Sequence, residues 1–401
     1  ELRGQTQRVF FPHLHRLLGK STYDMHGRTH IEWRKKASQS FKPDIVDQYT
    51  PFIQAAAQSV VLQNIFDVQQ QSGQSVYFCQ LAKQFAYEIG IKFVFGPLLS
   101  DAERKQYFHV FQQFANGFTV DARNDAEAKD PNSVFSIALR AKDELNQFLR
   151  GKYSEAETLI RHNEWEKKYG TQENCLLKSL LENDGVFDNN GEYTLPEKVD
   201  TQIGLAFAAY DTSATSLTNL VHAMWKYPAE TDVVREAILS HPQLSDPETT
   251  FSLEMLKECN ELECFIHEAQ RLYGIVPMIT RMVREENGLE FGSYHLPKGT
   301  GITIPVKWLH TGPGSWTDSL EFKPSRFDKS SGQSKEERGD LGRYNSIPFA
   351  TGLHKCLGIH LALLEMRIYS VLLLRDWEFE LDEDKLTQNE NGVVNGINLS
   401  Q

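Results

Sequence analysis

Only five of the 401 residues are cysteines, Cys79, Cys175, Cys259, Cys264 and Cys356. They are odd in number and widely spaced, with no paired zinc spacing, which excludes a disulfide scaffold and a zinc finger or ribbon. Long apolar runs are missing too: no stretch reaches the roughly 18 residues of a membrane span. Positive charge is in deficit, with 42 Lys and Arg against 54 Asp and Glu and a net charge of −12. That balance argues against a nucleic-acid partner, which would need a broad basic face. No internal repeat and no interdomain linker is evident. What is present, 40% hydrophobic and 24% charged residues, is a globular composition that excludes disorder, collagen and coiled coil. The chain is long enough to enclose a sizeable core and a buried cofactor. Its first residue is Glu1, so a segment preceding it stays open.

Helical periodicity dominates from His30 to about Lys168. Pro43-Asp44, Ser100-Asp101 and Asp130-Pro131-Asn132 act as breaks where one helix stops and the next is capped. The first half therefore reads as all α. Strand-like sequence is concentrated between Thr280 and Val306: Arg281 to Arg284, a Glu286-Asn287-Gly288 turn, Leu289 to Phe291, then Gly301 to Pro305. Asp328 to Arg343 is polar and reads as an exposed loop. Two segments, Ile203–Tyr210 and Leu357–Leu374, are apolar nearly all round, which predicts helices buried on every side. The first belongs to a helix opened by Thr194, with Pro196 in its first turn and Glu197 completing a capping box, and closed near Pro228. These patterns predict a mostly α fold (α+β), a small sheet within a helical protein, with one long central helix.

The most informative stretch runs from Phe349 through Gly352, His354, Cys356 and Gly358 to Ala362, a loop ending in the second buried helix. Amide N–H groups and the helix dipole at that N-terminus favour an anion, so a Cys356 thiolate is stabilised there and can ligate a metal. Gly352 and Gly358 suit a backbone that turns sharply and approaches a flat cofactor. Ala362 lets the helix pack tightly. A cysteine taken alone is more often one more buried residue. Phe, Gly, Cys, Gly and Ala at these five offsets, however, coincide by chance in about one case in ten thousand. The residues resemble the haem-binding signature of the cytochrome P-450 family, the haem-thiolate monooxygenases, and the resemblance covers nearly the whole chain. It implies one haem b with Cys356 as the proximal iron ligand and His354 donating to a propionate. Ala350 and Thr351 depart from the family pattern by replacing glycines, and His354 stands where Arg is usual.

Glu268 and Arg271 lie three apart on one helix face, where they can pair. With Arg326, in Phe322-Lys323-Pro324-Ser325-Arg326-Phe327, they resemble the family's structural triad, which implies that they lock a helix to the chain preceding the cysteine loop. A zinc-protease helix is excluded at His267-Glu268, since the second His it requires is Arg271. On the long helix, Ala208-Ala209-Tyr210-Asp211-Thr212-Ser213 embeds an acid and an alcohol in apolar sequence, and burying them is costly without a partner or function. This stretch resembles the family's oxygen-activation segment, which implies that Asp211 and Thr212 relay protons. The reading from residues alone, a threonine back-bonded to its own helix, stays open. Near the N-terminus His30 and Arg34, one turn apart in Gly27-Arg28-Thr29-His30-Ile31-Glu32-Trp33-Arg34, resemble the helix that grips haem propionates, with Arg281 as a third candidate; otherwise they form a solvated basic face.

The resemblance further implies a distal pocket of Phe207, Ala208 and Thr212 from the long helix with Val276, Met278 and Ile279, mostly apolar and suited to a small lipophilic substrate (isoprenoid, sterol or fatty-acid-like). One oxygen atom of O2 enters a C–H bond, with reducing equivalents from NAD(P)H delivered by an electron-donor protein, a reductase or ferredoxin. Lys35, Lys36 and Lys355 are candidates for docking an acidic donor. The stretch from Leu17 to Phe41 is similar to the branch that oxidises retinoids and sterols. Residues 1–401 are expected to form a single haem-thiolate domain lacking the N-terminal region that family members carry. Its expected place is intracellular, cytoplasmic or, with an anchor outside this sequence, at the endoplasmic reticulum or another organelle membrane. Two alternatives stay open: a haem-thiolate isomerase or dehydratase of the same fold, whose members tend to lose the acid and alcohol pair, and a non-catalytic haem-binding relative.

Overall fold

Of the breaks anticipated in the first half, Ser100-Asp101 begins with a capping serine, Asp130-Pro131-Asn132 is followed directly by one, and the helix opening at Pro43 has no side-chain cap. Ser100 Oγ accepts the Glu103 N–H at 3.3 Å while the Glu103 carboxylate accepts the Ser100 N–H at 2.8 Å, a reciprocal capping box. Ser133 Oγ accepts the Ser136 N–H at 3.1 Å in the same way. The computed structural model describes residues 6–8, 12–23, 25, 27–73, 77–120, 129–171, 173–182, 193–328, 342–381 and 397–400. The polar stretch expected to be an exposed loop lies outside these over residues 329–341.

Strand β1 is Thr6–Arg8. The helices that concern the site follow: α1 Gly27–Ala37, α2 Phe78–Phe95, α3 Asp101–Asn116, α4 Val134–Arg161, α5 Leu195–Lys226 and α6 Asn260–Leu272. Four strands come next, β2 Ile279–Val283, β3 Leu289–Phe291, β4 Tyr294–Leu296 and β5 Gly301–Ile304. Helices α7 Val306–Thr311 and α8 Ile359–Asp376 and strands β6 Glu378–Leu381 and β7 Ile397–Ser400 complete the set. The sheets are small: β1-β2-β5, β3-β4 and β6-β7.

The all-α expectation for the first half is corrected by β1, which pairs antiparallel with β2, Thr6 opposite Val283 and Arg8 opposite Arg281. Three residues are too few to show a period, and the strand exists because β2 offers its backbone groups. β4, with three residues, and β6 and β7, with four each, were likewise not anticipated.

Two compact units make up the chain, each assembled from separate stretches: Glu1–Ser40, Tyr87–Asp211 and Thr280–Ile302 in the first, Phe41–Ala86, Thr212–Ile279 and Thr303–Gln401 in the second. Helix α5 belongs to both, passing from one to the other between Asp211 and Thr212. Of the capping box expected at its start the Glu197 half is seen, the carboxylate accepting the Thr194 N–H at 2.7 Å and the Thr194 hydroxyl at 2.9 Å. At 1.5 Å per residue its 32 residues extend about 48 Å.

In the first unit α3 lies along α4, with Tyr107 stacked on Phe148 at 3.9 Å. Arg104 ties α3 to α2 through Glu88 at 2.9 Å, and the Tyr87 hydroxyl donates to the Arg104 carbonyl at 2.9 Å. Phe111, Phe114, Phe118, Phe207 and Tyr210 form an aromatic cluster beside this seam. The second unit is built around α8, on which Leu361 and every residue from Leu363 to Leu374 are buried. Each fully buried leucine there is worth about 1.5–3 kcal/mol. The burial expected for Leu357–Leu374 thus holds from Leu361 on. For Ile203–Tyr210 the expectation is corrected: Leu205, Phe207, Ala208 and Ala209 are only half-buried, because an apolar composition does not specify what covers each face. Among the described residues, no helix is long and apolar enough to cross a membrane.

Candidate functional site

The cysteine loop is shaped by its own backbone. The Ala350 N–H donates to the Ile347 carbonyl at 2.9 Å, and the Cys356 N–H donates to the Phe349 carbonyl at 2.8 Å. Between them the chain turns through two left-handed positions, Ala350 at φ 55° and Gly352 at φ 72°. Glycine meets the second without cost, whereas alanine at the first carries steric strain. Cys356 is exposed, and Gly358 caps α8 two residues later. Phe349, His354, Gly358 and Ala362 are half-buried around it in sequence. Among the described residues a side chain at Gly352 would meet nothing within 4 Å, and one at Gly358 only the Phe41 ring at 3.8 Å.

The structure brings Glu268, Arg271 and Arg326 together with none of them exposed. Arg271 Nε and Nη2 donate to the two Glu268 oxygens at 2.6 and 2.8 Å, and Arg326 Nε reaches Glu268 Oε1 at 3.3 Å. The Lys323 N–H adds a fourth donor to that carboxylate at 2.7 Å. The remaining guanidinium N–H groups are used on carbonyls: Arg271 on His310 at 2.7 Å, Ser319 at 2.6 Å and Glu321 at 2.9 Å, Arg326 on Asp318 at 2.6 Å and on Thr317. Three ions in the core are tolerated because almost every lone pair and N–H has a partner.

Asp211 and Thr212 follow the apolar stretch of α5, but they are not embedded as expected: Asp211 is half-buried and Thr212 exposed, whereas Ser213 is buried. Successive helical residues point about 100° apart, so neighbours in sequence meet different surroundings. The Phe207 ring stacks on Phe118 at 3.9 Å, and Ala208 beside it is half-buried. In the second unit Val276 and Met278 are 41% and 54% exposed, with Ile279 half-buried. In the first unit His30 is buried and Arg34 half-buried on α1, and between them in sequence the buried Trp33 Nε1 has no hydrogen-bond partner among the described residues. Arg281 is half-buried on β2, and loss of water pushes its guanidinium below its ordinary value. Of the three lysines, Lys35 and Lys355 are exposed and Lys36 half-buried.

The donor set fits a thiolate-ligated haem. Within the second unit, the exposed Cys356 on a preformed loop suits the iron and open space at Gly352 suits a flat macrocycle. The first unit, taken by itself, holds His30, Arg34 and Arg281, side chains of the kind that bind carboxylates. Among the described residues no group of three or more His, Cys, Asp or Glu could hold a metal ion.

Two buried residues were missed by the sequence reading. Glu365 lies inside α8, hydrogen-bonded by the Ser213 side chain, and burial pushes its carboxyl up to about 8. A lone acid within the apolar run from Leu361 to Leu374 was the available signal. His310 on α7, 1% exposed, had none.

A model of the cytochrome P450 family matches residues 2–400. Cytochrome P450 26B1 of Xenopus tropicalis is 29% identical over 360 residues, covering 88% of this chain and 65% of that protein. Its Homo sapiens counterpart is 27% identical over 371 residues, 91% of this chain and 67% of that protein. The chain thus spans 65% to 67% of the length of these relatives. Among solved structures, retinoic acid bound cyanobacterial CYP120A1 superposes with a TM-score of 0.76 at 21% identity, covering 99% of this chain and 85% of the other. The heme domain of cytochrome P450DA has the same TM-score at 14% identity, covering 100% and 85%. At these identities the two structures establish the fold.

Proposed function

Because this chain belongs to the cytochrome P450 family, we propose that it acts as a haem-thiolate monooxygenase, working as one domain over residues 1–401. The reaction balances as substrate R–H, O2, two electrons and two protons giving R–OH and water. The observation that carries the reading is the exposed Cys356, held by its own N–H to Phe349 just before the N-terminus of α8.

When bound, the haem supplies activation of O2 at iron, with thiolate donation favouring O–O cleavage. Cys356 ligates it. His30, Arg34, Arg281 and His354 neutralise its carboxylates. Asp211 takes up protons from solvent and the Thr212 hydroxyl passes them on toward the water that leaves. Phe207, Ala208, Val276, Met278 and Ile279 offer apolar surface to the substrate, which makes it hydrocarbon-like near the reacting carbon. Electrons come from NAD(P)H through a donor protein, whose acidic face Lys35, Lys36 and Lys355 attract. Retinoic acid, the ligand named for the cyanobacterial structure, is the first compound to test by Soret shift.

The ligand assignment is tested by the reduced carbon monoxide complex. The parent should absorb at the position of thiolate ligation and Cys356→Ala should not, since no neutral donor supplies the same electron density. A Cys356→Ala protein retaining that band would overturn the assignment.

A further inference from the structure

His310 stands near the end of α7 with both ring nitrogens engaged. Its Nδ1 lies 3.2 Å from the Arg271 carbonyl oxygen, and its Nε2 lies 2.8 Å from the Ile347 backbone nitrogen. A carbonyl can only accept and a backbone N–H can only donate, so the ring proton sits on Nδ1 and the lone pair on Nε2. The two partners leave a single tautomer. A doubly protonated ring would set an N–H against the Ile347 N–H. Burial, with the Arg271 and Lys307 charges nearby, pushes the imidazole down to about 4.

What the ring joins gives it a role. On one side is the end of α6, whose Arg271 is clamped by Glu268 and itself donates to the His310 carbonyl at 2.7 Å. A side chain at Gly274 would stand 2.8 Å from the Gln270 carbonyl and 3.4 Å from His310 Nδ1, so glycine lets this end of the chain approach the ring. On the other side is the base of the cysteine loop. Ile347 accepts from Ala350 at 2.9 Å, and Phe349 accepts from Cys356 at 2.8 Å, so two further backbone hydrogen bonds lead from the ring to the cysteine. Asn345 anchors the same strand of chain, taking Trp316 Nε1 on its carbonyl at 3.2 Å and donating to the Ser315 carbonyl. That anchor stops two residues short of Ile347.

We propose that His310 is a positioning residue for Cys356, its ring a rigid link that transmits the fixed geometry of the Glu268–Arg271–Arg326 cluster to the loop carrying the thiolate. The proposal rests on Cys356 being the haem ligand. It predicts that loss of both ring contacts loosens the sulfur before it unfolds the protein, and that a side chain reproducing both contacts restores it. Glutamine does so, with an amide N–H for Arg271 and an amide oxygen for Ile347. Phenylalanine fills the volume with neither.

The test compares the haem-loaded parent, His310→Gln and His310→Phe, at matched haem content, through the reduced carbon monoxide spectrum and the melting temperature. The parent and His310→Gln should keep the thiolate band, while His310→Phe should lose at least half of it to the band of neutral ligation. A His310→Phe protein with the parent's full thiolate band would overturn the proposal, whatever its melting temperature. Should that variant take up no haem, nitrogen-15 spectra of the parent's histidines decide, the His310 signals being identified by their loss in His310→Gln. The Nδ1-protonated tautomer between about pH 6 and 8 supports the link, and the Nε2-protonated or cationic ring refutes it. A parent without any thiolate band would instead remove the Cys356 assignment, and the proposal with it.

Discussion

Glu268 and Arg271, one turn apart on α6 and neither exposed at all, close a two-point ion pair at 2.6 and 2.8 Å. The same carboxylate also takes Arg326 and the Lys323 N–H. Glu268→Ala would leave two guanidinium groups buried without their counter-ion, a loss of about 3–5 kcal/mol. Haem content and melting temperature should fall together. A Glu268→Ala protein with full haem content and an unchanged melting temperature would show that the carbonyls alone satisfy both arginines.

Glu365 is pushed up to about 8 from an ordinary 4.5 by burial in α8. Between those two values the folded chain holds a proton that the unfolded chain has released, so stability falls as pH rises through this window. The loss approaches about 1.4 kcal/mol per pH unit in mid-window and totals on the order of 4–5 kcal/mol. Glu365→Gln removes this dependence. Melting curves of the two proteins at about pH 5 and 8 should therefore diverge, the parent losing more on the alkaline side; parallel curves would mean that Glu365 is ionised in the fold.

Ala350 occupies the left-handed region at φ 55°. That conformation costs an alanine about 1–2 kcal/mol and a glycine almost nothing, while glycine is the more disordered when unfolded. Ala350→Gly should yield a net gain of up to about 1 kcal/mol, near 1 °C in melting temperature for a chain of this size. Calorimetry showing a clear decrease would place the strain elsewhere in the loop.

Thr212 is exposed on α5 beside the half-buried Asp211. If its hydroxyl carries protons, Thr212→Ala should keep haem and substrate binding while diverting electrons to peroxide. The measurement is product formed per NAD(P)H consumed. An unchanged ratio would assign Thr212 to helix packing.

Local chemistry made much of this legible. Ser100 starts a helix because its short side-chain oxygen takes a free N–H within one turn, and Thr194 does so through the Glu197 carboxylate that closes on its N–H. The segment Leu357–Leu374 reads as a buried helix because its apolar residues cover nearly every face, and it is buried from Leu361 on with Ala362 half-buried. Glu268 and Arg271 show their pairing through a spacing of three. β1 and β4 did not show themselves, because three residues of strand carry no period and take their existence from the partner strand.

The sequence by itself determined the chemistry of the cysteine loop, the caps and the helix order, since each depends on residues within a turn or two of one another. The tertiary structure decided the partners. Only folding sets Ser213 against Glu365 and Ile347 against His310, and these pairs bear on which buried groups are neutral and where one ring keeps its proton. The reason is physical: a buried polar group takes its protonation and orientation from whatever replaces its water, and those neighbours come from distant parts of the chain.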